Sequence, residues 1–203
     1  MKILTNDQLH NFLEQGYTHL PQIKISDSIR DKIKNLATNQ EQIYSESSEV
    51  LELLFPDKEI LKNFGHDLSI FVSKAIKKNI SYDEDEFYSI IRCTTSQQKT
   101  EAFLGHFDSH ICTVVVPVNI PNAKELESGE LVLFPNVRNV RGSKLKNLYK
   151  KISFQRYKNK PDYIKALEKK YEKKIFNFRD NVPIIFHGFN SFHWNFPFYG
   201  DEN

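Results

Sequence analysis

Near residue 86 the hydrophobic period of this chain changes from the spacing of helices to that of strands. Thr5-Asn6-Asp7-Gln8 reads as a capping box, Leu9, Phe12 and Leu13 give one apolar face, and Gly16 ends the helix. Ile29, Ile33 and Leu36 make a second amphipathic helix after Ser26-Asp27-Ser28. Leu68, Phe71, Val72, Ala75 and Ile76 define another, long enough to lie across a sheet. Pro56 and the acidic stretch near Ser45–Glu49 separate these pieces. Beyond residue 86, Phe87, Ser89, Ile91 and Cys93 alternate with Tyr88, Ile90, Arg92 and Thr94. Ile111 to Val118 is a β-branched run that suits a strand buried on both faces. Leu131–Phe134 is a strand introduced by Gly129 and stopped by Pro135. Val182–His187 is another, followed by the turn-like Gly188-Phe189-Asn190-Ser191. His193–Phe198 supplies the last, interrupted by Pro197. Helices first and strands after argue for an α+β layout.

A length of 203 residues, 39 % hydrophobic and with sixteen Phe, supports one domain over 1–203 whose first 80 residues are mainly helical. Residues 138–180 are basic and poor in apolar side chains, too short a stretch to own a core. They read as an insertion between strands, with a helix starting at Pro161-Asp162 and Ile164, Leu167, Tyr171 and Ile175 on one stripe. Its Lys144, Lys146, Lys150, Lys151, Arg156, Lys158 and Lys160, interleaved with Tyr149, Phe154 and Tyr157, suit a solvated face or a grip on an anionic small molecule. The net charge of +2 gives no licence for nucleic-acid binding by the whole molecule. Neither a secretory signal in Met1–Gly16 nor a stretch of bilayer-spanning length is visible, so a cytoplasmic protein without a membrane partner is expected. Cys93 and Cys112 sit in apolar, strand-like segments and read as buried thiols rather than a disulfide framework.

Gly105-His106-Phe107-Asp108-Ser109-His110 is the most chemically loaded segment. Residues two apart in a strand project to one face, so His106 and Asp108 converge on one point. An imidazole nitrogen and a carboxylate oxygen suit iron(II). One more histidine from a distant strand completes a two-His-one-carboxylate face, with positions left open for oxygen and an organic co-substrate. His110 reads as a hydrogen-bonding neighbour rather than a ligand.

The order of these segments resembles the phytanoyl-CoA-dioxygenase-like family of iron(II)/2-oxoglutarate dioxygenases. Phe12-Leu13-Glu14-Gln15-Gly16-Tyr17-Thr18-His19-Leu20-Pro21 is similar to its opening, where a helix ends at a glycine and an aromatic leads into the first strand. His106-Phe107-Asp108 matches its proximal metal motif. Gly129-Glu130-Leu131-Val132-Leu133-Phe134-Pro135 and Val182-Pro183-Ile184-Ile185-Phe186 are similar to the strands that follow and that precede the distal histidine. The resemblance implies a cupin-like double-stranded β-helix, or jelly-roll, with N-terminal helices on the sheet and the helical insertion between strands. It implies a non-haem iron(II) oxidoreductase that takes 2-oxoglutarate and molecular oxygen and hydroxylates a small molecule.

Two histidines compete for the distal position. In the family that ligand follows the aromatic end of its strand after a short turn, as His193 follows Phe186, whereas His187 lies next to Phe186. His193 is the first choice and His187 the alternative, the latter fitting a cupin-type enzyme that uses His106, His110 and His187 without 2-oxoglutarate. A metal-free jelly-roll binding module is the non-catalytic alternative. Relatives also carry an arginine or lysine after the distal histidine for the far carboxylate of 2-oxoglutarate, and the stretch after His193 contains no basic residue. Arg92, on a strand face with Tyr88 and Thr94, is the first substitute, and Arg138, just after the Leu131–Phe134 strand, the second.

Overall fold

The computed structural model describes residues 2–38, 44–46, 48–80, 89–92, 104–120, 123–138 and 161–199. Tyr88, Cys93, Thr94 and the basic run with its aromatics between Lys144 and Lys160 lie outside the described residues.

Helix α1 (Asn6–Gln15) starts on the capping box read from the sequence. The Thr5 hydroxyl accepts from the Gln8 N–H at 3.1 Å, and the Gln8 side chain accepts from the Thr5 N–H at 2.8 Å. Such a cap stabilises a helix start by about 1 kcal/mol. Gly16 ends the helix with φ +81°, where a side chain would be strained and would also collide with Asn136. The chain turns directly into β1 (Tyr17–His19). Helix α2 (Asp27–Thr38) begins where Ser26 accepts from the Ile29 N–H. Helix α4 (Lys58–Ile76) buries Phe64 and Phe71. It also buries Asp67, whose carboxylate accepts from the N–H groups of Ile3 and Leu4 at 2.6 and 2.8 Å and so ties the N-terminal segment to this helix. Two short elements lie where the sequence showed only a polar separator: β2 (Tyr44–Glu46) and α3 (Ser48–Leu54). β2 is a strand because β3 (Ile90–Arg92) pairs with it, a long-range cause that its own residues do not display.

The remaining strands are β4 (Thr113–Val115), β5 (Leu131–Phe134), β6 (Lys174–Phe176), β7 (Ile184–Phe186) and β8 (Phe192–Asn195). They make two three-stranded antiparallel sheets, in the orders β1-β7-β4 and β6-β5-β8, beside the separate β2-β3 pair. The fold is α+β, and among the described residues no sheet closes into a barrel. Leu131 and Leu133 of β5 share one apolar cluster with Ile184 and Phe186 of β7, so the two three-stranded sheets face each other. Ile185, between those two β7 residues, packs instead with Phe12, Phe64 and Phe71 of the helices on the other side. The alternation of a strand thus divides helix-facing from sheet-facing core.

Several expectations are shortened: Val182–His187 is a strand over Ile184–Phe186, and the last strand runs over Phe192–Asn195 rather than His193–Phe198. The Ile111–Val118 run is a strand only over Thr113–Val115, each residue half-buried, although Val114 does face the helices and Val115 the opposite sheet. The insertion helix, α5 (Pro161–Lys170), packs Ile164 and Leu167 with Tyr171 just beyond its end, but Ile175 belongs to β6 and is exposed. Cys112 is a free thiol packed on the helix-side core, and burial pushes it up to about 12. Among the described residues no helix is long and apolar enough to cross a membrane.

Candidate metal centre

The segment carrying His106 and Asp108 runs antiparallel to β8. The His106 N–H donates to the His193 carbonyl at 2.9 Å, and the His193 N–H returns a bond to the His106 carbonyl at 3.0 Å. This reciprocal pair fixes the two histidines by main chain alone. Gly105 permits it, since a Cβ there would lie 2.2 Å from the buried Phe192 ring. Two residues on, the Asp108 N–H donates to the Gly188 carbonyl at 3.1 Å. Phe107 points the other way and packs with Phe192.

The side chains meet as the spacing predicts. Asp108 Oδ1 stands 3.5 Å from His106 Nε2 and 3.4 Å from His193 Nε2. Among the described residues, these three form the one set of His, Cys, Asp and Glu side chains whose donor atoms all lie within 4.8 Å of one another. Neighbouring ligands at right angles around a first-row metal stand about 3 Å apart, given bonds near 2.1 Å. The two separations from Asp108 Oδ1 are therefore close to those of a coordination face, while the set as a whole is looser, its donor atoms lying within 4.8 Å of one another.

The orientation of the rings is more telling than their proximity. His106 Nδ1 faces the Leu104 carbonyl at 2.9 Å, and His193 Nδ1 faces the Ser191 carbonyl at 3.2 Å. A carbonyl only accepts, so each Nδ1 carries the hydrogen and each neutral ring presents its Nε2 lone pair to Asp108. Two lone pairs and a carboxylate oxygen aimed at one another repel unless a cation sits among them, either a proton or a metal ion. Burial works against a cation on His106, but the Asp108 carboxylate and the Leu104 carbonyl outweigh it and raise this imidazole above its ordinary value. Burial likewise works to raise Asp108, yet His106 and His193, when their Nε2 atoms carry a proton to donate, and the Thr113 hydroxyl hold its carboxyl far below the usual range. The Thr113 hydroxyl donates to Asp108 Oδ2, which leaves Oδ1 for the histidines. The centre is open on one side: the His106 side chain is 47 % exposed and that of His193 7 %. Exogenous ligands thus have an approach from solvent.

Two residues that the motif reading passed over shape this centre. Thr113 orients the carboxylate, and no spacing signal announces it. Gly188, read only as part of a turn, leaves the space that Asp108 and Thr113 occupy: a Cβ there would lie 2.4 Å from Thr113 Oγ1 and 2.6 Å from Asp108 Oδ2. Its backbone is not left-handed, so space alone demands glycine. Gly188→Ala is expected to leave the fold intact and to weaken metal binding by about 10- to 100-fold, as displacing a ligand's support does. Cobalt(II) titration by competition with a chelator checks this.

The other sequence candidates fall in separate places. Phe186 meets the His193 ring at 5.0 Å, whereas His187, one residue on, turns to the helix side and stacks on Phe12 at 6.0 Å. Burial pushes His187 down to about 4, and neither ring nitrogen has a partner among the described residues. His110 lies exposed on a bend. His106, His110 and His187 therefore do not converge. Arg92 does approach the centre: it donates to Asn195 Oδ1, two residues beyond His193 on the same face of β8, and its charge is felt at His106. Arg138 lies over the Phe107 ring, and its charge and that of Asp108 are felt by each other.

No protein-family model, curated protein or solved structure matches this chain.

Proposed function

We propose that the chain is a non-haem iron(II)- and 2-oxoglutarate-dependent oxygenase, its two facing sheets being the described part of a double-stranded β-helix. One observation supports this above the rest: both histidines have Nδ1 committed to carbonyls, so that two Nε2 lone pairs and Asp108 Oδ1 face a common point open to solvent. Two neutral nitrogens and one carboxylate are the donor set for a facial triad with open positions. His106, Asp108 and His193 would hold the metal. Iron(II) there, with 2-oxoglutarate and oxygen, supplies the oxidising power to hydroxylate an unactivated C–H bond of a small molecule. Thr113 keeps the carboxylate turned to the histidines, and Phe186 walls one side of the His193 ring against water. For the far carboxylate of the co-substrate we assign Arg92, because it is the guanidinium tethered beside His193 on the ligand-bearing face.

Anaerobic addition of iron(II) and 2-oxoglutarate is expected to give a weak visible charge-transfer band. Arg92→Ala is expected to raise the 2-oxoglutarate concentration needed for that band by about 10- to 100-fold, the worth of a charge-assisted hydrogen bond, while leaving iron affinity unchanged. Iron bound without a band would overturn the co-substrate. An unmoved midpoint in the variant would overturn the role of Arg92.

A further inference from the structure

The turn 188–190 carries none of the three candidate ligands, yet it decides where Asp108 sits. The Asp108 N–H is bonded to the Gly188 carbonyl at 3.1 Å, and the bare Cα of Gly188 faces the Asp108 carboxylate. The next two carbonyls of that turn are both held by one residue from the end of β5. The Arg138 N–H donates to the Asn190 carbonyl at 3.1 Å, and its Nε donates to the Phe189 carbonyl. The guanidinium is clamped between two rings, 3.9 Å from the centroid of Phe107 and 4.1 Å from that of Phe189. Phe107 is the residue between His106 and Asp108, and Phe189 is the residue after Gly188. A single side chain thus joins the two segments whose separation sets the position of Asp108. A planar guanidinium can stack on both faces and donate in its plane at the same time, whereas an ammonium cannot.

We propose that Arg138 is a positioning residue for Asp108, holding the turn 188–190 against the His106–Asp108 segment so that Oδ1 stays on the two histidines. The consequence for metal binding rests on the metal reading above. Two measurements on Arg138→Gln and Arg138→Lys test the proposal: amide hydrogen exchange by NMR, and cobalt(II) titration with its visible spectrum. Both variants are expected to speed exchange of the Asp108 N–H at least about 10-fold more than that of the β5 amides. Both are expected to lower cobalt(II) affinity by about 10- to 100-fold with an altered spectrum. Exchange at Asp108 that is unchanged, or that rises only in step with β5, would overturn the proposal. So would a loosened Asp108 with cobalt(II) affinity intact, or restoration of both readouts by lysine, which would make charge the cause. If the parent protein binds no cobalt(II), the metal reading fails by itself, and the exchange comparison still decides what Arg138 does.

Discussion

Asp108→Asn is expected to lose the metal and keep the fold. The amide has the shape of the carboxylate, can still accept from Thr113, and can offer an N–H to a histidine Nε2, so the metal-free centre stays satisfied. What disappears is the one negative charge among the three donor atoms, leaving two neutral nitrogens to hold a dication. Replacing a group that merely supports a ligand costs about 10- to 100-fold in affinity, and removing the charged donor itself is expected to cost more than that. A ligand present at about 100 times its dissociation constant stabilises the folded state by about 2.7 kcal/mol. The parent protein should therefore melt higher with iron(II) or cobalt(II) than without, and the variant should melt at one temperature in both conditions. Bound metal after anaerobic purification gives a second measure. Stoichiometric metal in Asp108→Asn would overturn the assigned centre.

The second large effect belongs to His187 and to acid. Its imidazole is buried on Phe12, with burial pushing it down to about 4. An unfolded histidine takes its proton near pH 6.5. Between pH 6.5 and 4 the unfolded chain therefore binds more protons than the folded one, and stability falls as the pH drops through that window. A depression of this size corresponds to about 3 kcal/mol, fully lost below pH 4. His187→Leu is expected to flatten this part of the profile. It is also expected to stabilise the protein at pH 7 by about 1–3 kcal/mol, because a buried ring without a hydrogen-bond partner among the described residues is replaced by an apolar side chain of similar size. Urea denaturation of both proteins at pH 7, 6, 5 and 4 measures this. His106, raised rather than lowered, pulls in the opposite sense, but it is common to both proteins and cancels in the difference. Parallel profiles would show that His187 is not the acid-sensitive group.

What was legible in the sequence is what short-range chemistry writes. The Thr5–Gln8 capping box and the Gly16 stop are made by residues within one turn of each other, and both appear as read. The pairing of His106 with Asp108 on one face follows from strand alternation, and Leu131–Phe134 spans the strand expected of it. The strand β2 was missed because its partner β3 lies far along the chain. Spacing put His193 ahead of His187 as the third member of the cluster but could not say where either ring points, His187 following β7 directly and His193 lying in β8. The structure separates them by direction, one toward Phe12 and one toward Asp108. Thr113, Gly188 and the clamp at Arg138 had no local signature, because each acts on Asp108 only through a contact that the tertiary fold creates.

The reciprocal bond pair between His106 and His193 also sets a timetable. During synthesis His106 and Asp108 emerge roughly 90 residues before His193, an interval of several seconds at ordinary elongation rates of about 5–20 residues per second. Through that interval the growing chain displays half a centre, one imidazole and one carboxylate on a segment whose pairing partner does not yet exist. Such a fragment grips a metal ion poorly and selects none. On the metal reading proposed above, the choice of ion would then fall to the finished chain and to whatever the cell offers it at that moment.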